Sequence, residues 1–409
     1  MLLKNISAFL EHPGRAARPF YNGSQAHPEK QVQSQPSRRD LRLDFFRGLA
    51  LWFIFIDHVP SSIVGNITFR NFGFSDATEI FVYISGYTAA IVYGASLRRN
   101  GFLQMTTQVL KRCWQLYAAH ILLFVFFIAQ ITWVSLRFDN ASFVEELNVM
   151  QFHEQPQESI IRALLLHYRP VNLDVLPLYM ALLLGFPLCL WLMTWSRPLT
   201  VLASLVLWAC VQEFQWAFPV YENGDTWLFN PLGWQLLFVI GAYFGLGRDT
   251  DSPWLRWRPW LGWLAGAWLL FAVFVTLSWK YPPLNDWVEV VVGPWLYPID
   301  KSNFGIARLL HFLAVAYLVV RLVPENTPVV NWPLAHPIIR CGQHSLYIFC
   351  VSISLSFVAH FVLVQFGRGI LMQLAVIAGG LVLMSALAYL LHWLDRGGRK
   401  AAAPAHASQ

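Results

Sequence analysis

The chain has 409 residues, is 56% hydrophobic and carries charge on only 13% of its positions, about half the share of a soluble domain. Its formal charge of +6 comes from Lys and Arg clustered between apolar runs, with no basic face on a soluble module, which excludes nucleic acid as a partner. The runs are long and continuous, which excludes a β-barrel of short alternating strands.

The predicted class is all-α: a polytopic membrane protein of about ten transmembrane helices with both termini cytoplasmic. Its 19 Trp fall mostly near the ends of apolar runs, where aromatic belts sit. Residues 1–41 are polar and rich in Pro, Gly, Ser and Gln, and read as a disordered cytoplasmic tail. No signal-peptide pattern is present in Met1–Leu10. Residues 42–395 form the membrane domain, and 396–409 a short cytoplasmic tail.

A crossing helix needs roughly 20 apolar residues. That length test predicts spans over 45–64, 77–97, 113–136, 175–195, 199–217, 231–247, 260–279, 305–323, 343–366 and 370–393. A polar segment containing Glu145, Glu146, His153, Glu154 and Glu158 separates the third and fourth. A Pro-rich loop with Asp286, Glu289, Asp300 and Lys301 precedes the eighth. With the N-terminus inside, about twenty Lys and Arg fall in cytoplasmic segments and about seven in external loops, a bias that sets the orientation.

No internal repeat is evident. GxxxG spacing at Gly241/Gly245 and Gly262/Gly266 permits close helix contact; packing within the bundle is favoured there, and a homodimer seam stays open. The five cysteines (Cys113, Cys189, Cys210, Cys341, Cys350) are scattered without a CxxC pair. Neither a metal site nor a disulfide framework is supported. HExxH, GxxxxGK[ST] and Gly-x-Ser-x-Gly are all absent, so covalent serine chemistry has no support.

Ionisable groups within spans are costly and mark candidate sites. The stretch RLDFFRGLALWFIFIDHVP, Arg42 to Pro60, holds Asp44, Arg47, Asp57 and His58. His58 follows Arg47 by eleven residues, nearly the same face at about 100° per residue, and roughly 16 Å along the axis. Arg47 therefore sits near the inner surface and His58 near the outer. Asp57 and His58 are neighbours whose side chains diverge on a helix, so Glu79, near the outer end of the second span and on one face with Asp76 and Tyr83, is an alternative partner. A histidine titrates near neutrality and suits removal of a proton from a hydroxyl.

Other polar intrusions are Arg308 with His311, Asp174 at the start of the fourth span, and Asn230 and Gln235 opening the sixth. Arg340 and His344 form an i,i+4 pair at the inner end, where snorkelling explains Arg340 equally well. His120, His360 and His392 read as packing histidines.

The first span resembles the opening helix of the acyltransferase 3 superfamily, in which an R-G-containing helix ends in a catalytic histidine. EIFVYISGY is similar to that superfamily's FF-x-x-SGF motif, at Phe81, Ser85, Gly86 and Tyr87. RLDFFRGLALWFIFIDHVP, RNFGFSDATEIFVYISGYTAA, RPVNLDVLPLYM, FNPLGWQLLF and RCGQHSLYIFC together resemble the OpgC-type succinyltransferases of osmoregulated periplasmic glucans. That resemblance implies an enzyme of the bacterial inner membrane that passes succinyl from cytosolic succinyl-CoA to glucose hydroxyls of a periplasmic β-glucan. No cofactor is held permanently; succinyl-CoA is the acyl donor, and membrane lipid surrounds the bundle.

On that reading His58 is the general base, oriented by Asp57 or Glu79. Arg47 and Arg340 meet the CoA phosphates, and Arg308 with His311 meets the succinyl carboxylate. Asp174 binds sugar hydroxyls, while Asn230, Gln235 or a tyrosine donates to the oxyanion. The alternatives are an O-acetyltransferase of another envelope polysaccharide, which needs a small apolar acyl pocket, and a transporter of an anion or sugar, which predicts matched half-repeats.

Overall fold

The structure, a computed structural model, describes residues 40–60, 62–220, 226–248, 257–324 and 327–402. The predicted N-terminal tail falls almost wholly outside these residues. Fifteen helices are present among them: α1 (Leu41–Asp57), α2 (Ala77–Phe138), the short α3 (Ser142–Glu146), α4 (Met150–Glu154) and α5 (Pro156–Leu164), then α6 (Val175–Trp195), α7 (Arg197–Phe214), α8 (Pro231–Leu246), α9 (Pro259–Ser278), α10 (Pro282–Val291), α11 (Gly293–Leu296), α12 (Ile306–Leu322), α13 (Ala335–Gln343), α14 (Ser345–Phe366) and α15 (Ile370–Ala402). No strand occurs among the described residues.

Helices occupy all ten predicted apolar runs. Five of them, α2, α6, α9, α14 and α15, are long and apolar enough to cross a membrane by length and composition. The second and third runs lie on the two arms of α2, which bends at Gly101, where φ is +79°. Only glycine takes that left-handed conformation without strain. The first run was expected to stay helical to Val64, but α1 stops at Asp57 and the chain continues in a 3-10 turn over 63–67. Pro60 is the cause: proline cannot donate to the helix and pushes the residue before it into extended backbone. The last helix runs past the predicted end at Trp393 to Ala402.

Two seams of small residues hold the bundle together. α2 packs most extensively on α8, and α1 on α13. A Cβ on Gly86 would strike the carbonyl of Phe238, and Cβ atoms on Gly241 and Gly245 would strike the carbonyls of Tyr83 and Tyr87. The GxxxG of α8 is therefore an intrachain contact with the SGY turn of α2. At the second seam Gly48 meets the Ile338 backbone and Gly342 the Asp44 backbone. Helices in lipid gain little from apolar burial against one another, so backbone approach through small residues carries much of the association.

Replacing Gly241 by Val is expected to overpack the α2–α8 seam at a cost of about 1–3 kcal/mol, lowering the melting temperature in detergent. Gly266, with no atom near its prospective Cβ, should accept Ala with no measurable change. Equal shifts for the two would refute the seam.

Candidate active site

His58 is the C-cap of α1, its backbone N–H bonded to Ile54 and Ile56 carbonyls. It lines a cavity of about 150 Å³ together with Asp57, Pro60, Phe127, Glu146, Leu147, Val171, Asn172, Ser356, Phe357 and His360. Its Nδ1 is buried and makes no hydrogen bond to any described residue. Across the same cavity His360, on α14, stands 2.9 Å from Glu146 Oε2 through its Nε2. His360 is also held edge-on to Phe143, with ring centroids 5.5 Å apart. One cavity thus holds two imidazoles and two carboxylates.

Neither expected partner hydrogen-bonds His58. Asp57 accepts from the Thr68 hydroxyl at 2.6 Å and lies 3.9 Å from Arg70 Nε, which ties the α1–α2 connection down over the end of α1. Glu79, fully buried, is the N3 member of a capping box with Asp76. It receives the Arg308 Nε at 2.7 Å. Adjacent side chains on a helix diverge, which explains Asp57. Glu79 is drawn away because a buried carboxylate needs an opposite charge.

Arg308 also reaches Asp76 Oδ2 at 3.1 Å, and Lys301 reaches the same oxygen at 2.7 Å. Burial alone would push the Asp76 carboxyl up; the Lys301 and Arg308 charges outweigh it and hold the group well below the usual carboxylate range. Two carboxylates on Arg308 leave it no charge for a substrate carboxylate, contrary to expectation. Its companion His311 is buried and hydrogen-bonded to the Ser75 hydroxyl at 2.7 Å. Lys301 remains half-exposed, rests over the Phe229 ring, and lies within electrostatic reach of Asp57, His58 and Asp174.

The remaining expected residues are distributed as follows. Asp174 pairs with Arg169 at 3.4 Å rather than facing open solvent. Asn230 caps α8 with its Oδ1 and donates to Trp216 O and Asn303 Oδ1. Gln235 clamps α8 to Ser204 of α7 by two bonds. Neither amide lines the His58 cavity, so an oxyanion role beside His58 does not fit them. Arg47 lies on α1 beyond the cavity, donating to Thr88 Oγ1 at 2.9 Å on α2. Arg340 donates to Gln343 and lies 3.2 Å from His392 Nδ1.

His360 and Glu146 are the residues sequence reasoning missed. His360 read as packing and Glu146 as part of a polar connection. The charge count held the signal, since it places the end of the ninth span and the connection after the third on the outer side, with His58.

A helical membrane protein whose polar site is a pair of imidazoles and a pair of carboxylates at one end of its bundle has the parts for proton transfer. The chain belongs to the OpgC protein family, whose model matches residues 39–396. Membership makes it a membrane transferase that modifies glucans. No curated protein and no solved structure matches it.

Arg308→Met is expected to cost about 3–5 kcal/mol by leaving Glu79 buried without its cation. The double variant with Glu79→Gln should recover most of the loss in a melting experiment. A single variant as stable as wild type would show that the pair is incidental.

Proposed function

We propose that the protein transfers succinyl groups from cytosolic succinyl-CoA to glucose hydroxyls of osmoregulated periplasmic glucans, with His58 as general base. The supporting observation is the cavity that joins His58 to the Glu146–His360 pair at one end of the bundle, in a chain of the OpgC family. The reading takes the ten apolar helical runs as spans, with both termini cytoplasmic and the cavity opening to the periplasm.

In the proposed reaction a glucose hydroxyl enters the cavity and gives its proton to His58. The oxygen attacks the thioester carbonyl and the C–S bond breaks. CoA leaves as its thiolate and collects the proton, and the glucan carries a new ester ending in a carboxylate. The Glu146 carboxylate holds His360 with one nitrogen toward it. His360 is thereby set to orient the acceptor hydroxyl or relay its proton, which is the office a carboxylate-oriented imidazole serves in a triad. Arg47 and Arg340 lie on α1 and α13, away from the cavity, where the CoA phosphates need cationic donors.

The test is transfer of label from succinyl-CoA, with acetyl-CoA as the competing donor, to glucan by the purified full-length protein. Succinyl-glucan is expected, and acetyl-glucan alone would overturn the donor assignment. His58→Ala is expected to lower the rate by about 10²–10⁴; a rate near wild type would remove His58 as base. Glu146→Gln should reduce kcat with little change in the KM for succinyl-CoA, since it acts through His360 on the acceptor.

A further inference from the structure

Beside the His58 cavity lies a second polar cluster that the reaction above does not use. Arg169 is 7% exposed and His120 is fully buried. Among the described residues no group accepts a hydrogen bond from Arg169 Nε or Nη1, and both ring nitrogens of His120 are likewise unpartnered. Asp174 stands 3.4 Å from Nη1, close enough to attract but without a hydrogen bond. The flat face of the guanidinium lies over the Trp227 ring at 4.3 Å, which fixes the plane of its fork.

Buried donors without acceptors are costly, and more so on a charged group. The other deeply buried guanidinium at this end, Arg308, has its donors met by Glu79 and Asp76. Arg169 leaves its Nε–H, on the far side of the guanidinium from Nη1 and Asp174, without an acceptor among the described residues, and a carboxylate oxygen is the acceptor that suits it. A neutral imidazole supplies one further N–H, and His120 lies within electrostatic reach of Arg169.

The cluster adjoins the cavity through two elements. Val171 and Asn172, in the cavity wall, follow Arg169 by two and three residues, so the Cα of Val171 is at most about 7 Å away. On α2, His120 and the cavity residue Phe127 are seven residues apart, two turns along one face. Phe124 between them packs edge-on against Tyr168, binding that face to the Arg169 loop.

We propose that Arg169 and His120 bind the free carboxylate at the far end of the transferred acyl group, and so select a dicarboxylic acyl donor over a plain alkanoyl one. This deepens the acyl-transfer reading and rests on it for the identity of the ligand. The carboxylate accepts from Arg169 Nε–H and from the His120 ring, and the four-carbon chain leads from there toward the thioester beside His58.

Two measurements on the full-length protein in detergent test it. First, sodium succinate is added at constant ionic strength against sodium chloride. It is expected to raise the melting temperature of wild type and not of Arg169→Gln, with Arg169→Lys between them. Second, equimolar succinyl-CoA and butyryl-CoA compete for glucan, and the succinyl-to-butyryl product ratio is expected to fall about 10- to 100-fold in Arg169→Gln. Should that variant not fold, His120→Asn, which keeps the Arg169–Asp174 pair, carries both measurements. The proposal fails if succinate stabilises both proteins alike or neither, or if the product ratio is unchanged. Stabilisation through Arg169 without transfer of either acyl group would leave the carboxylate site standing and overturn the acyl-transfer reading. Succinylation with a ratio indifferent to Arg169 would do the reverse.

Discussion

Everything at the His58 end hangs on the ion network of Asp76, Glu79, Arg308 and Lys301. A fully buried carboxylate such as Glu79 is tolerable only with a cation in contact, and Arg308 supplies it from α12. Asp76 caps α2 and shares that cation, and Lys301 draws in the loop before α12. Four separated pieces of chain are thereby fixed at one depth: the α1–α2 connection, the head of α2, the 297–304 loop and α12. Asp57, reached from the α1–α2 connection by Thr68, is fixed by extension, and with it the direction in which His58 leaves α1.

Such a network also sorts the cations by task. Arg308 is saturated and structural. Lys301 is shared between Asp76 and solvent. Arg169 is buried, stacked on Trp227 and underused. The three cations differ in what they can do because of how many acceptors each already faces, which is a property of the folded neighbourhood and not of the residue type.

Hydropathy and charge bias made the helices legible, since a bilayer forces backbone bonds to be met within each span. Element ends were less so. The end of α1 follows from Pro60 and from a carboxylate–hydroxyl bond to Thr68, and the latter is a contact across a turn that no periodicity carries. Gly101 was visible as a residue, but its left-handed backbone, which joins two expected spans into one bent helix, was not. His58 stood out because a titratable side chain at the end of an apolar run is conspicuous. Its neighbours did not, since His360 and Glu146 lie 214 residues apart and meet only when α14 packs beside the connection after α2. Asn230 and Gln235 misled for the complementary reason: amides at the head of an apolar run look like substrate donors in a sequence, and here they make a helix cap and a helix–helix clamp.

The proposed transmembrane acyl transfer imposes one further condition on this architecture. The donor's charged nucleotide cannot enter the apolar middle of the bundle, whereas its thioester has to reach a base about 16 Å along α1 from Arg47. The seams that hold α1 to α13 and α2 to α8 are made by glycines against backbone, so those helices approach too closely to admit a chain between them. The route for a pantetheine arm must therefore follow the other faces of α1, those turned toward α14 and α2. These are the faces that carry Arg47, against Thr88, and the residues leading to His58 and His360. Tight glycine packing against α13 thus confines the proposed passage to the remaining faces of α1.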